Sequence, residues 1–384
     1  MKKNLILCLS ILSLVVSGCD NQSNSIETPS TSNSELPSET EKEISTIEVK
    51  NYSEKINYLA DYNDSGIRVK VTYSDESNVV YGPNRLDIDY SNFTTKKLGK
   101  QNIGIKVKNT DISTNIEVEV VPSDSFNILM VGNSFTDDTV QWVNEICADL
   151  GINVKIANLF IGSSTLQQHC DNLTNDNAYY DFRTYNEQTK RWQAQAQTTI
   201  KTAMNSYDWD FVSLQQSSGT CGLANSYDCL PTIIDEVKKL KEDIRFVWNF
   251  TWAYQQDTTR EEFFTNYNSD QKTMYSAIVN CLKEKVVVNE VIELIVPNGT
   301  AIQNARTSFI GDNLTRDGYH LSFDLGRYIA GLSLVATMTA QDISKVAYAP
   351  EGVTPAQQKV AIESVINALA SPYSVTESQY KTEG

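Results

Sequence analysis

The sequence predicts an α/β protein, a three-layer α/β/α sandwich around a five-stranded parallel sheet, preceded by a small all-β sandwich. Three observations predict it. Between residues 44 and 121, short runs alternate apolar and polar residues with period two, as half-buried strands do. After Pro122-Ser-Asp-Ser125 the rhythm changes to apolar runs separated by stretches of helical period, which is how a parallel sheet covered on both faces reads. The residues able to do chemistry fall just after those apolar runs, at the edge where open α/β sheets bind ligands.

The elements follow in chain order. Lys2 and Lys3 precede the apolar stretch Leu5 to Val16, which is short for a bilayer span and reads as a processing signal. It ends in Val16-Ser17-Gly18-Cys19, which resembles the bacterial lipobox. That resemblance implies cleavage before Cys19, lipidation of Cys19 and an extracytoplasmic protein anchored to a membrane, at the cell surface or on the periplasmic face. An ordinary secretory signal is the alternative. Residues 20–43 are Ser, Thr, Asn, Glu and Pro with almost nothing apolar, a composition expected to form a flexible linker.

Within residues 44–122, the runs Ile67–Tyr73, Asn102–Val107 and Thr114–Val120 put apolar residues on one face. The string Val71-Thr-Tyr-Ser-Asp-Glu-Ser77 and the terminal Ile-x-Val-x-Val run resemble bacterial Ig-like domains of surface proteins. The resemblance implies either carbohydrate or wall adhesion, or a rigid spacer.

Residues 125–372 form the second expected domain. Its five strands are Phe126–Val131, Val154–Phe160, Phe211–Leu214, Phe246–Phe250 and Val291–Val296. Helical periods cover Val140–Leu150, Trp192–Met204, Leu230–Leu240 and Lys272–Lys285, then Asp324–Met338 and Pro355–Leu369. The first strand is followed by Gly132-Asn133-Ser134, the second by Gly162-Ser163-Ser164, and the third by Gln215-Gln216-Ser217-Ser218-Gly219. The fourth runs into Thr251-Trp252-Ala253-Tyr254, and the fifth precedes the loop carrying Asp317-Gly318-Tyr319-His320. The chain has only two histidines, His169 and His320, so an imidazole base has few candidates.

These strings resemble the SGNH (GDSL-like) hydrolase superfamily, in an uncharacterised bacterial branch, over most of residues 126–369. The resemblance implies a flavodoxin-like sheet, Ser134 as nucleophile, and Asp317 and His320 completing a triad. It implies the backbone N–H groups of Ser134 and Gly162 as oxyanion donors. A side-chain amide from the third block completes the family's hole. The usual Gly-x-Asn is absent here, so Gln215 or Gln216 stands in, with Gln216 preferred because it lies further past the strand end.

The chemistry supports those roles independently. A serine hydroxyl needs a base within hydrogen-bond reach, and a neutral imidazole supplies one near physiological pH. A carboxylate on the other ring nitrogen fixes the tautomer. Asp137 and Asp138 open the helix after the first strand, where negative charge complements the helix dipole; they read as structural rather than as a metal pair. His169 either contacts substrate or closes the second loop onto a neighbour. Gln215 and Trp252 are expected near substrate, with Trp252 either stacking on a sugar face or belonging to the core.

Charge and cysteines bound the remaining possibilities. With 32 Lys+Arg against 48 Asp+Glu, the formal charge is −16, which disfavours nucleic acid as a partner. Of seven cysteines, Cys221 and Cys229 are near enough in sequence to bridge a loop in an oxidising compartment. Cys147 and Cys281 read as buried thiols, and no spacing points to a metal. The expectation is a surface-anchored serine esterase that removes acetyl or other short acyl groups from carbohydrate and needs no cofactor. The alternatives are an inactive carbohydrate-binding or adhesion lipoprotein, and a lipase or thioesterase of the same fold.

Overall fold

The computed structural model describes residues 42–383. The signal segment with Cys19 and the linker as far as residue 41 lie outside the described residues.

The N-terminal unit is a pair of small sheets. Strands β1 (Ile44–Asn51), β2 (Lys55–Asn57), β3 (Arg68–Tyr73), β4 (Asn78–Tyr81), β5 (Leu86–Asp89), β6 (Gly99–Val107) and β7 (Ser113–Val121) pair in the orders β1-β3-β4 and β2-β7-β6-β5. Val69 and Val71, Ile103 and Ile105, and Ile116 and Val118 alternate inward and are buried between them. This is the period-two pattern turned into a shared apolar layer.

Residues 125 onward build one larger layered domain. Strand β8 (Ser125–Gly132) leads into α1 (Ser134–Val140) and α2 (Val143–Leu150). Strand β9 (Asn153–Phe160), α3 (Leu166–Thr174), β10 (Tyr180–Asn186), β11 (Arg191–Thr198) and α4 (Ile200–Met204) follow. Then come β12 (Phe211–Leu214), α5 (Leu230–Leu240), β13 (Arg245–Asn249), α6 (Glu261–Tyr267) and α7 (Gln271–Cys281). Strand β14 (Ile292–Val296), α8 (Asn298–Ala305), α9 (Leu325–Thr339) and α10 (Pro355–Ala370) complete it. Helix α9 packs with α1, α2, α8 and α10, while α3 packs with α4 and α5.

The sheet has seven strands in the order β11-β10-β9-β8-β12-β13-β14, not the five expected. Its five parallel members run second, first, third, fourth, fifth, so chain direction across the sheet reverses at β8, and ligand crevices form at such a reversal. The two extra strands form an antiparallel hairpin on the β9 edge. Arg191–Thr198 occupies part of the stretch read as helical from Trp192 to Met204; only Ile200–Met204 is helix. An edge strand with most of its residues exposed buries no apolar face, so its Gln-Ala alternation carries no buried-strand signal.

The domain also runs past residue 372. Thr376 N–H donates to Asn304 Oδ1 at 2.7 Å, Ser378 N–H to Thr307 Oγ1 at 2.8 Å, and Phe309 N–H to the Tyr380 carbonyl at 2.9 Å. The two units meet at the N-terminal ends of the parallel strands. There Arg245 donates to the Leu59 carbonyl at 2.5 Å and pairs with Glu293 at 2.7 Å, and Lys96 reaches Glu293 at 3.0 Å.

Candidate active site

The site is built at the opposite, carboxyl end of the sheet. Ile128, Leu129, Met130 and Val131 are all buried, each contributing about 1.5–3 kcal/mol of burial, and they hold the strand that ends at Gly132. Asn133 then caps α1 by accepting the Phe135 N–H at 3.0 Å, one of the free donors every helix start presents. Glycine is required at 132, because a Cβ there would fall 2.0 Å from Thr136 Oγ1 and 3.0 Å from the Gln215 amide carbon. Ser134 follows, at the first position of the helix.

Ser134, His320 and Asp317 form a continuous hydrogen-bonded chain. The Ser134 hydroxyl donates to His320 Nε2 at 2.8 Å, and His320 Nδ1–H donates to Asp317 Oδ2 at 2.7 Å. Asp317 Oδ1 accepts the His320 and Tyr319 backbone N–H groups at 2.8 and 3.3 Å. That tight turn is made by Gly318, with φ +88° and no room for a side chain, since a Cβ there would fall 2.6 Å from Thr258 Oγ1. Partial burial pulls the Asp317 pKa up, but hydrogen bonds from His320 and the imidazole's charge outweigh it, and the net shift is downward. Asp317 is therefore ionised wherever His320 needs a counter-charge.

Two further side chains hold His320 against Ser134. Asp138, fully buried, accepts Arg316 Nη1 at 3.0 Å, Arg327 Nε at 2.7 Å and the Leu321 N–H at 2.8 Å. It is a clamp across the interior of the site rather than a helix-dipole charge. Asp137, beside it, is taken up by Arg183 and by Asn158. Trp252 is completely buried, stacks on Phe135 with ring centroids 4.2 Å apart, and donates its Nε1–H to the Tyr319 carbonyl at 2.8 Å. It grips the residue after Ser134 and the residue before His320. It presents no face to a sugar, which corrects the expected substrate contact.

Both glutamines are also turned inward. Gln215 Nε2 donates to Asn133 Oδ1 at 2.8 Å, while its Oε1 accepts Thr136 Oγ1 at 2.7 Å and Asn249 Nδ2 at 3.0 Å. Asn249 Oδ1 in turn accepts Asn298 Nδ2 at 2.8 Å. Asn133, Gln215, Asn249 and Asn298 thus form a buried row of amides across the ends of β8, β12, β13 and β14. Gln216 donates to the Ser226 carbonyl at 2.5 Å and accepts the Leu166 and Ser217 N–H groups at 3.1 and 2.7 Å. Buried amides must find partners, and these have found them inside the protein. Gln216 is not the third oxyanion donor, and Gln215 does not bind substrate.

The second loop is fastened to the nucleophile turn. Asn133 Nδ2 donates to the Ser164 carbonyl at 3.0 Å, and Ser164 Oγ donates to the Gly132 carbonyl at 3.2 Å. His169 closes this loop from behind, with Nε2 at 3.1 Å from Ser164 Oγ and Nδ1 at 2.8 Å from the Tyr180 hydroxyl. It is 1% exposed, and burial lowers its pKa to about 4. His169 is a neutral brace and not a substrate contact. Gly162 sits on the outer side of the loop, exposed, where a Cβ would meet only Phe160 Cζ, at 3.9 Å. Its N–H and that of Ser134 have no partner among the described residues.

In front of Ser134 lies a cleft of about 220 Å³, lined by Ser163, Ser217, Ser218, Thr220, Arg260, Glu262 and Tyr319 among others. Its walls carry several hydroxyls, the Arg260–Glu262 ion pair and the Tyr319 ring. A larger cavity of about 320 Å³ lies at the junction with the N-terminal unit, between Leu59, Trp209 and Arg245, remote from this chemistry. Cys221 and Cys229, near enough in sequence to bridge, are both free thiols: Cys221 Sγ faces the Ser218 carbonyl at 2.9 Å and Cys229 Sγ faces Gln167 at 2.8 Å. Cys147 and Cys281 are buried thiols.

Residues 127–368 match the family described as a domain of unknown function, DUF4886. The chain belongs to that family. The DUF4886 domain here is similar to the crystal structure of a DUF4886 family protein from Bacteroides uniformis, at 35% identity and TM-score 0.63, covering 66% of this chain and 98% of the other. A family 3 carbohydrate esterase from Clostridium thermocellum matches at 13% identity and TM-score 0.34, over 57% of this chain and 96% of that one. A GDSL-like lipase from Bacteroides thetaiotaomicron matches at 11% identity and TM-score 0.32, over 57% and 88%. At those scores neither lends its activity to the DUF4886 domain. No curated protein matches the chain.

Proposed function

We propose that this protein is a serine esterase of the SGNH (GDSL-like) type, carrying out acyl transfer through Ser134. The observation that carries the reading is the Ser134–His320–Asp317 chain, with bonds of 2.8 and 2.7 Å, at the reversal of strand order in the sheet. Ser134 Oγ attacks the ester carbonyl carbon while its proton passes to His320 Nε2. The tetrahedral intermediate collapses, the C–O bond to the alcohol breaks, and His320 returns the proton to the departing oxygen. Water then attacks the acyl-serine, again with His320 as base, and releases the carboxylic acid. The Ser134 and Gly162 N–H groups supply the oxyanion hole, where loss of one donor costs about 2.7–4 kcal/mol.

The small, hydroxyl-lined cleft supports a short acyl group on a polar alcohol, such as acetylated carbohydrate, over a long-chain lipid. The lipobox-like string ending at Cys19 supports anchoring at a membrane surface, and in this reading the N-terminal β-sandwich is an Ig-like spacer. The test is hydrolysis of p-nitrophenyl acetate by the wild type and by Ser134→Ala, with fluorophosphonate labelling of the serine. Turnover and labelling are expected in the wild type and absent in the variant; undiminished turnover in Ser134→Ala overturns the proposal.

A further inference from the structure

The esterase reading leaves open which atoms of the substrate the cleft recognises. Its geometry assigns them by position. His320 must hand its proton to the leaving oxygen, so the leaving alcohol has to sit on the His320 side of Ser134, with the Gly162 loop facing the carbonyl oxygen. On that side the Tyr319 ring lies against the imidazole, with centroids 3.9 Å apart, and the Arg260 guanidinium lies over the Tyr319 ring at 4.5 Å. Arg260 and Tyr319 line the same cleft as Ser134.

Arg260 does not present a bare positive charge. Its Nε donates to Glu262 Oε1 at 2.9 Å, and its Nη2 lies 2.8 Å from the same oxygen. Glu262 is itself fixed: the Tyr254 hydroxyl donates to Oε1 at 3.1 Å, and the same hydroxyl meets Ser218 Oγ at 2.8 Å. Gly219 makes room for it, since a Cβ there would fall 2.7 Å from Glu262 Cγ. Arg260 Nη1 has no partner among the described residues. The pair therefore offers a rigid donor and a charged acceptor side by side, with no net charge.

We propose that Arg260 and Glu262 are specificity-determining residues that bind the free hydroxyls of the leaving alcohol, and that this alcohol is a neutral polyol such as a sugar ring. This rests on the esterase reading above. A hydroxyl both donates and accepts, so adjacent hydroxyls match an Arg–Glu pair, whereas an anion would meet the carboxylate and an alkyl or aryl alcohol would offer Arg260 Nη1 no partner. Ser217, Ser218 and Thr220, which line the same cleft beside Glu262, add further hydroxyl partners for a polar ring.

The experiment compares two esters that share an acetyl group and differ in the alcohol, p-nitrophenyl acetate and a mono-acetylated methyl glycoside. Each is assayed with the wild type, Arg260→Lys and Glu262→Gln, all checked for unchanged melting temperature. The expected result is a fall in kcat/KM on the glycoside at least tenfold larger than on the aryl ester, carried mainly by KM. A ratio of the two esters that stays constant in both variants overturns the inference while leaving the Ser134 reading intact. A wild type that hydrolyses neither ester overturns both.

Discussion

Ser134 and Asp138 stand one turn apart on α1, and they grip consecutive residues of the same distant loop. Ser134 Oγ meets His320 Nε2 at 2.8 Å, and Asp138 Oδ2 accepts the Leu321 N–H at 2.8 Å. The spacing of the nucleophile and its base is thus set by one helix, and the loop cannot drift without breaking a buried carboxylate from its partners.

Replacing Asp138 with Asn tests that arrangement. Breaking a buried ion pair costs about 3–5 kcal/mol, and the lower end applies because the Arg316 and Arg327 side chains keep 24% and 14% exposure. Asp138→Asn is expected to melt at lower temperature and, below that temperature, to lose kcat with little change in KM on p-nitrophenyl acetate. Unchanged kcat would remove Asp138 from the positioning of His320.

The two histidines are expected to be opposite tautomers. His320 carries its proton on Nδ1, facing Asp317, while His169 carries it on Nε2, because Ser164 Oγ already donates to Gly132 and the Tyr180 hydroxyl can donate to Nδ1. Nitrogen-15 NMR of the imidazoles at neutral pH distinguishes the two patterns directly. His169 has a folded-state pKa of about 4 against an ordinary 6.5, so between those values the unfolded chain binds more protons. Its contribution to stability is complete above pH 6.5 and is lost as pH falls through about 4. His169→Gln is expected to retain esterase turnover and to flatten the fall in melting temperature over that window.

Asp317→Asn should leave the fold intact, since the side chain is 41% exposed, and yet cripple turnover. An amide can donate to Nδ1 and so favours the wrong tautomer, with an expected loss of roughly 10³–10⁴ in kcat at neutral pH. Steady-state kinetics on p-nitrophenyl acetate measures it, and a loss below tenfold would mean that Asp317 does not orient the base.

Trp252→Phe separates a positioning role from sugar stacking. Phenylalanine can keep the stack on Phe135 but leaves the Tyr319 carbonyl without its donor, a loss of about 1–3 kcal/mol for a buried group. The expected outcome is an equal fall in kcat on aryl and sugar acetates. A defect confined to KM for the sugar ester would return Trp252 to the substrate site.

The parallel strands and the triad were legible in the sequence for the same reason. Strands buried on both faces read as apolar runs, and the residues just after them inherit a place at the sheet's carboxyl edge, which brings Ser134 and His320 together across 186 positions. What lay beyond reach was the direction in which each polar side chain at that edge turns. Gln215 and Gln216 point inward because Asn249 and Ser226 accept or supply their hydrogen bonds. His169 does so because Tyr180, on the β10–β11 hairpin that the five-strand expectation lacks, stands behind it. Asp138 becomes a clamp through arginines 178 and 189 residues away. Sequence position supplies the edge, and the partners of other strands decide which side chains face out.

The placement of the β-sandwich carries a last consequence. It meets the amino ends of β13 and β14 through Arg245 and Glu293, while Ser134 follows the far end of β8, whose eight residues span roughly 26 Å at about 3.3 Å each. The small domain therefore stands behind the Ser134 cleft as a handle, out of the path of approach. On the proposed function, even a long or branched polymer would reach the mouth end-on without meeting the handle.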